Sequence, residues 1–198
     1  MRAFIVRFSL TAILGGALSA LSSAASAHPG PHAAEFTGGL AHPFTGLDHL
    51  LAALAVGLWA SQLDRPARWL LPTMFPTVMI FGALLALGGP ALSLIEPAIA
   101  ASVLILGALI AGARQPAMLV SVPLTAAFAL LHGYSHGLAA PEQGSILAFY
   151  VGLTAATAAL HGLGLSAGLF AARTRWCFAA QSAGAAIALV GALLLFAA

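Results

Sequence analysis

The sequence predicts an all-α protein, a polytopic membrane helix bundle with six transmembrane helices after a cleaved signal peptide. Three observations carry that prediction. Of 198 residues, 61% are hydrophobic and only 6% are charged, with a mean hydropathy of +1.03; a soluble domain carries about 25% charged residues. Apolar runs near the roughly 20 residues that a bilayer requires recur six times along the chain. Finally, the arginines of the mature chain fall only in alternate joints between those runs. A pI near 9.3 would suggest a nucleic-acid partner, but it rests on seven Arg, no Lys and five acidic residues, thinly spread. No basic cluster exists to follow a phosphate backbone. The single cysteine, Cys177, excludes an intramolecular disulfide and any Cys-rich zinc or iron–sulfur site.

Residues 1–27 have the three parts of a secretory signal: Arg2 and Arg7, an apolar run from Phe8 to Leu21, and small residues ending Ala25-Ser26-Ala27. Cleavage would leave His28 as the mature N-terminus on the periplasmic side of a bacterial inner membrane. Residues 28–198 then read as one membrane domain, opening with a periplasmic His-bearing segment over 28–44, whose first stretch, His28 to Glu35, is flexible and water-facing. The apolar runs follow at 45–62, 70–88, 91–112, 117–139, 144–171 and 176–197, parted by Asp64-Arg65-Pro66, Gly88-Gly89-Pro90, Arg114-Gln115-Pro116 and Ala140-Pro141-Glu142-Gln143-Gly144. With the N-terminus outside, Arg65, Arg68, Arg114, Arg173 and Arg175 all fall in cytoplasmic joints, obeying the positive-inside tendency and placing both mature termini outside. Frequent glycines, among them Gly82, Gly107, Gly164 and Gly184, suit close helix contact in lipid.

Ionisable groups inside a bilayer are costly and mark functional sites. His42, Asp48 and His49 open the first mature helix, Glu96 lies early in the third, and His132 and His136 occupy the last two turns of the fourth. The topology puts all six near the outer face. His132 and His136 stand at i and i+4, on one helical face and within reach of one ion. Pro43 and Gly46 disfavour helix before Leu47, and Thr45-x-x-Asp48 resembles a capping box with Thr45 as N-cap. Asp48 is then either a cap partner or the acceptor that orients a metal-bound imidazole. Glu96 either caps its helix or supplies an oxygen to the cluster. Roughly 26 Å along the fifth helix, His161 is a second station for an ion or bonds Thr154, Thr157 or a carbonyl. His28 and His32, with Glu35, form a capture site or an unstructured spacer. Glu142 reads as a solvated loop charge. Met74, Met79 and Met118 fall on inner halves of their helices, so no methionine ladder for Cu(I) is present. Imidazole with carboxylate selects a divalent transition metal, without choosing nickel over cobalt or zinc.

The signal ending before His28-Pro29, the segment His42-Pro43-Phe44-Thr45-Gly46-Leu47-Asp48-His49, and Leu131-His132-Gly133-Tyr134-Ser135-His136-Gly137 together resemble the HupE/UreJ family. The resemblance covers essentially the whole chain. It implies an accessory membrane protein of nickel hydrogenases and ureases, a nickel permease, with metal-handling roles at His42, Asp48, His49, His132 and His136. It also implies the metal and the inward direction. The family's second motif commonly reads Phe-His-Gly-x-Ala-His-Gly with a glutamate soon after; Leu131 and Ser135 depart from it, and Glu142 lies displaced in the loop.

The expected activity is that of a non-enzymatic permease with no tightly bound cofactor. Its cargo is a divalent ion, Ni2+ foremost with Co2+ or Zn2+ as alternatives. Its surroundings are the lipid bilayer, with nickel-enzyme maturation proteins on the cytoplasmic side and no nucleic acid. His28 and His32 would capture the ion, the two histidine motifs bind it with Asp48 or Glu96 balancing charge, and His161 pass it inward. Two rivals from other classes are an intramembrane zinc-dependent hydrolase and a non-transporting metallocentre assembly subunit. Against the first, the chain lacks an H-E-x-x-H motif and a clearly placed general base.

Overall fold

The structure, a computed structural model, describes residues 31–90, 92–141, 144–174 and 177–198. The expected signal peptide, its cleavage site, His28, Glu142 and Arg175 lie outside the described residues, as does the side chain of His32. The described chain is helical throughout: α1 (Pro31–Ala41), a 3-10 turn (His42–Phe44), α2 (Leu47–Gln62), α3 (Arg65–Ala86), α4 (Ile95–Ala111), α5 (Met118–Leu138), α6 (Ile146–Arg173) and α7 (Cys177–Ala197).

Each of the six apolar runs forms one helix, and the joints fall at the proline and glycine clusters. Arg65-Pro66 opens α3 because a proline at the first positions of a helix forfeits no intrahelical bond. Gly88, at φ +73°, turns the chain out of α3. Four helices, α3, α5, α6 and α7, are long and apolar enough to cross a membrane. A fifth span arises if α1 with its 3-10 turn and α2, which meet at 79°, count as one broken element. By itself α2 has 16 residues and α4 has 17, only about 24–26 Å of helix against a hydrocarbon core of about 30 Å.

The stretch His28 to Glu35, expected to be flexible, is helical from Pro31. Gly39 on α1 and Gly152 on α6 explain the docking: a Cβ on either would collide with the backbone of the opposite helix, at Phe149 and Phe36 respectively. The same device recurs between α2 and α6 (Gly57 and Gly164), between α3 and α5 (Gly82, Gly133 and Gly137) and between α4 and α7 (Gly107, Gly184 and Gly191). In lipid, where apolar burial gives no preference for a neighbouring helix over acyl chains, such close backbone approach supplies the contact energy.

The two ends of this bundle differ chemically. At one end Trp59 Nε1 donates to the Arg114 carbonyl (3.0 Å), Gln62 Nε2 donates to the Ile110 carbonyl (3.2 Å), and Arg68 bonds the Leu63 carbonyl (2.9 Å). Ser61 packs where a Gly168 Cβ would stand. The arginine-bearing ends of α2, α4 and α6 therefore gather on one side. His49, in the first turn of α2, is about 20 Å from that end. The alternation of arginine in sequence is matched by its segregation in space from His49 and the first histidine motif.

Candidate metal centre

The first histidine motif is shaped by its turn. The 3-10 turn buries Pro43 and leaves His42 half-buried, and Thr45 Oγ1 donates to the His42 carbonyl at 2.7 Å. The N-cap of α2 is Gly46 rather than the expected Thr45, and no side chain caps it. Glycine stands there for space: a Cβ would come within 2.6 Å of Asp48 Oδ1 and 3.0 Å of His49 Nδ1. Asp48 is thereby released from capping. Its Oδ1 accepts from the His49 amide and from His49 Nδ1, both at 2.8 Å. A carboxylate only accepts, so the bond places the ring proton on Nδ1 and the lone pair on Nε2.

The second motif, His132-Gly133-Tyr134-Ser135-His136-Gly137, is split between two faces of α5. Gly133 and Gly137 press against the backbone of α3 at Met79 and Ala83, and Tyr134 reaches out to the Pro90 carbonyl (2.8 Å). His132 and His136, each 3% exposed, turn to the first motif. His132 Nδ1 donates to the Phe128 carbonyl (2.9 Å), again leaving Nε2 as the free nitrogen.

The four imidazoles meet. Ring centroids stand 4.6 Å apart for His49 and His136, 4.9 Å for His42 and His136, 5.3 Å for His49 and His132, and 6.3 Å for His42 and His49. His49 Nε2, His132 Nε2 and His136 Nδ1 are buried with no hydrogen-bond partner among the described residues. They border a cavity of ≈ 10 Å³ lined by Pro43, His49, Ala53, Phe75, Met79, His132, His136 and Thr157, room for about one water-sized particle. What converges is rings rather than nitrogens. Among the described residues no three His, Cys, Asp or Glu side chains are arranged to hold a metal ion as they stand. The torsion that turns an imidazole is broad, so realigning the free nitrogens requires ring rotation and not backbone movement.

Other expected ligands lie elsewhere. Glu96 is exposed in the first turn of α4 and does not line the cavity. His161, 1% exposed, packs its ring on Phe75, whose ring also contacts His132. Of its expected hydrogen-bond partners it takes a carbonyl rather than Thr154 or Thr157: Nδ1 donates to the Pro72 carbonyl on α3 at 3.0 Å. That carbonyl is available because Pro76, one turn on, has no N–H to offer it. Met79, read from sequence as remote, lines the cavity. Phe75, Met79, Pro43 and Thr157 were all missed, and the only local signal was the Pro72-x-x-x-Pro76 pair.

The Pro76→Ala variant tests this reading. It would regain a helical N–H and up to about 3 kcal/mol of helix propensity, but that N–H competes for the Pro72 carbonyl and strands a buried His161 Nδ1 at a cost of about 1–3 kcal/mol. The expected result is a thermal midpoint nearly unchanged while ¹⁵N shifts of His161 show the fixed Nδ1–H tautomer lost.

Comparison with known proteins agrees with the motifs. Residues 16–194 match the family described as HupE / UreJ protein. Protein HupE of Rhizobium leguminosarum bv. viciae is 42% identical over 176 residues, covering 89% of this chain and 92% of that protein. No solved structure matches. With the match spanning nearly the whole chain and both histidine motifs inside it, the protein belongs to the HupE/UreJ family.

Proposed function

We propose that the protein is a secondary permease of the bacterial inner membrane that carries a divalent transition metal inward, nickel foremost, for hydrogenase or urease maturation. The observation that carries this reading is the meeting of four imidazoles from two distant motifs, three of them with a buried, unpartnered nitrogen, at the end of the bundle opposite the arginines. Membership of the HupE/UreJ family supports the metal and its use. In this reading the mature chain crosses the membrane six times with both termini periplasmic, α2 and α4 being short spans, and signal cleavage exposes His28.

The chemistry suits passage better than storage. A closed four-ligand cage would retain its ion, whereas conduction needs binding weak enough to release. Rings whose nitrogens are not yet aligned provide a loose, exchangeable site. Half-buried His42, Asp48 and His49 form its rim, and buried His132 and His136 its floor. Asp48 supplies the negative charge nearest the ion and orients His49. His28 and His32 precede the rim in the chain and serve as capture groups, while Glu96, exposed on α4, lies off the path. Proteoliposomes holding the purified chain and a trapped metal-sensitive dye test the reading. Ni2+ entry exceeding that into protein-free vesicles, with Co2+ and Zn2+ compared, is the expected result. Retention of metal without entry would favour an enzyme or an assembly subunit.

A further inference from the structure

We infer that Phe75 is a gate between two metal stations, the four-imidazole cluster and an inner one at His161; the inference rests on the permease reading and specifies its path. Phe75 is 2% exposed, and its ring lies edge-on to both neighbours, 5.8 Å from His132 and 5.1 Å from His161. It lines the cavity together with Met79 and Thr157, and Thr157 sits one turn before His161 on the same face of α6. An ion leaving the cluster towards His161 therefore meets a phenyl ring.

His161 itself is equipped to receive it. The Pro72 carbonyl holds the proton on Nδ1, so the lone pair is on Nε2, which is buried without a partner among the described residues. A buried acceptor left unpaired is costly, and that cost is relieved when an ion arrives. The gate is also set in a weakened stretch of helix. Pro76 deprives the Pro72 carbonyl of its helical bond, and Pro72 does the same for the Arg68 carbonyl. Phe75 lies between the two prolines, where the ladder is incomplete and the helix yields most readily. An apolar ring at such a point stops a hydrated ion, yet moves aside at small cost for one that exchanges water for imidazole.

The test uses the full-length chain in dye-loaded vesicles, with equilibrium dialysis against Ni2+ in parallel. Mg2+, a hard cation that imidazole does not retain, serves as the probe of an open path. In Phe75→Ala and the volume-sparing Phe75→Leu, bound Ni2+ per chain stays at the wild-type number, and Mg2+ entry rises about ten-fold above wild type as the apolar barrier is lost. His161→Asn, whose amide can still donate to the Pro72 carbonyl, keeps Ni2+ bound at the four-imidazole cluster and loses Ni2+ entry by about ten-fold as the inner station disappears. Mg2+ entry at or below the wild-type level in Phe75→Leu overturns the gate, as does loss of Ni2+ binding in that variant, which would make Phe75 part of the cluster's packing. Wild-type entry of Ni2+ in His161→Asn overturns the inner station. If the wild-type chain itself passes no Ni2+, the permease reading falls and takes the gate with it; if it does and the variants behave alike, the gate falls alone.

Discussion

Alanine at His49 or at His136 is expected to abolish metal-dependent uptake at limiting nickel. His49 is the hub of the cluster, in ring contact with His42, His132 and His136, so its removal leaves no imidazole in contact with all the others. His136 makes the two shortest of the contacts, 4.6 Å to His49 and 4.9 Å to His42, so its removal strips the cluster of its closest partner. Losing a residue that only orients a ligand costs about 10–100-fold in metal affinity, so losing a central ligand is expected to exceed roughly 100-fold. The fold should survive, because Ala deletes a polar ring bordering a cavity and no core hydrophobe. Equilibrium dialysis with Ni2+ and rescue of a nickel enzyme in cells measure the effect, with detergent thermal midpoints as the control. Wild-type uptake in both variants would remove the cluster from the transport path.

Gly133→Val should deplete the folded protein. A Cβ at residue 133 falls on the Met79 carbonyl and 3.0 Å from the Ala83 nitrogen. These are backbone atoms that cannot rotate away, so α3 and α5 must part. Overpacking of this kind costs about 1–3 kcal/mol, occasionally more, against a total stability of about 5–15 kcal/mol. His132 and His136 ride on α5 and move with it away from His42 and His49, so metal binding should weaken in whatever protein remains. Gly162 on α6 is the matched control, since its Cβ would meet nothing within 4 Å. Gly162→Ala should be neutral or stabilising by up to about 1 kcal/mol. Equal thermal midpoints and membrane yields for the two variants would contradict the close-approach account.

The six helices and the pairing of the histidine motifs were legible in the sequence. Apolar runs bounded by Pro and Gly report helix ends directly, and the spacing of His132 and His136 dictates a shared face whatever surrounds them. The arginine joints were legible for the same local reason, and the bundle gathers Arg65, Arg68, Arg114 and Arg173 away from the imidazoles. Local reading failed where a residue's fate depended on a neighbour far along the chain. Thr45 has the right type for an N-cap, but Gly46 takes the position because Asp48 and His49 need the room. The stretch up to Glu35 reads as flexible, yet it is helical from Pro31, and Gly39 fits the groove offered by Gly152.

Sequence alone therefore determined where the six apolar helices lie and which imidazoles share a face, since both follow from backbone periodicity and from groups a bilayer rejects. Only the tertiary structure decided what lines the cavity. In an apolar helix Phe75 and Met79 resemble the lipid-facing Phe81 and Leu84 in every respect but direction. That direction is set by where glycines let two backbones touch, as Gly133 does at Met79. The bond from His161 to the Pro72 carbonyl, 89 residues apart in sequence, belongs to the same class: a missing N–H is visible locally, but the donor that replaces it is found only by folding.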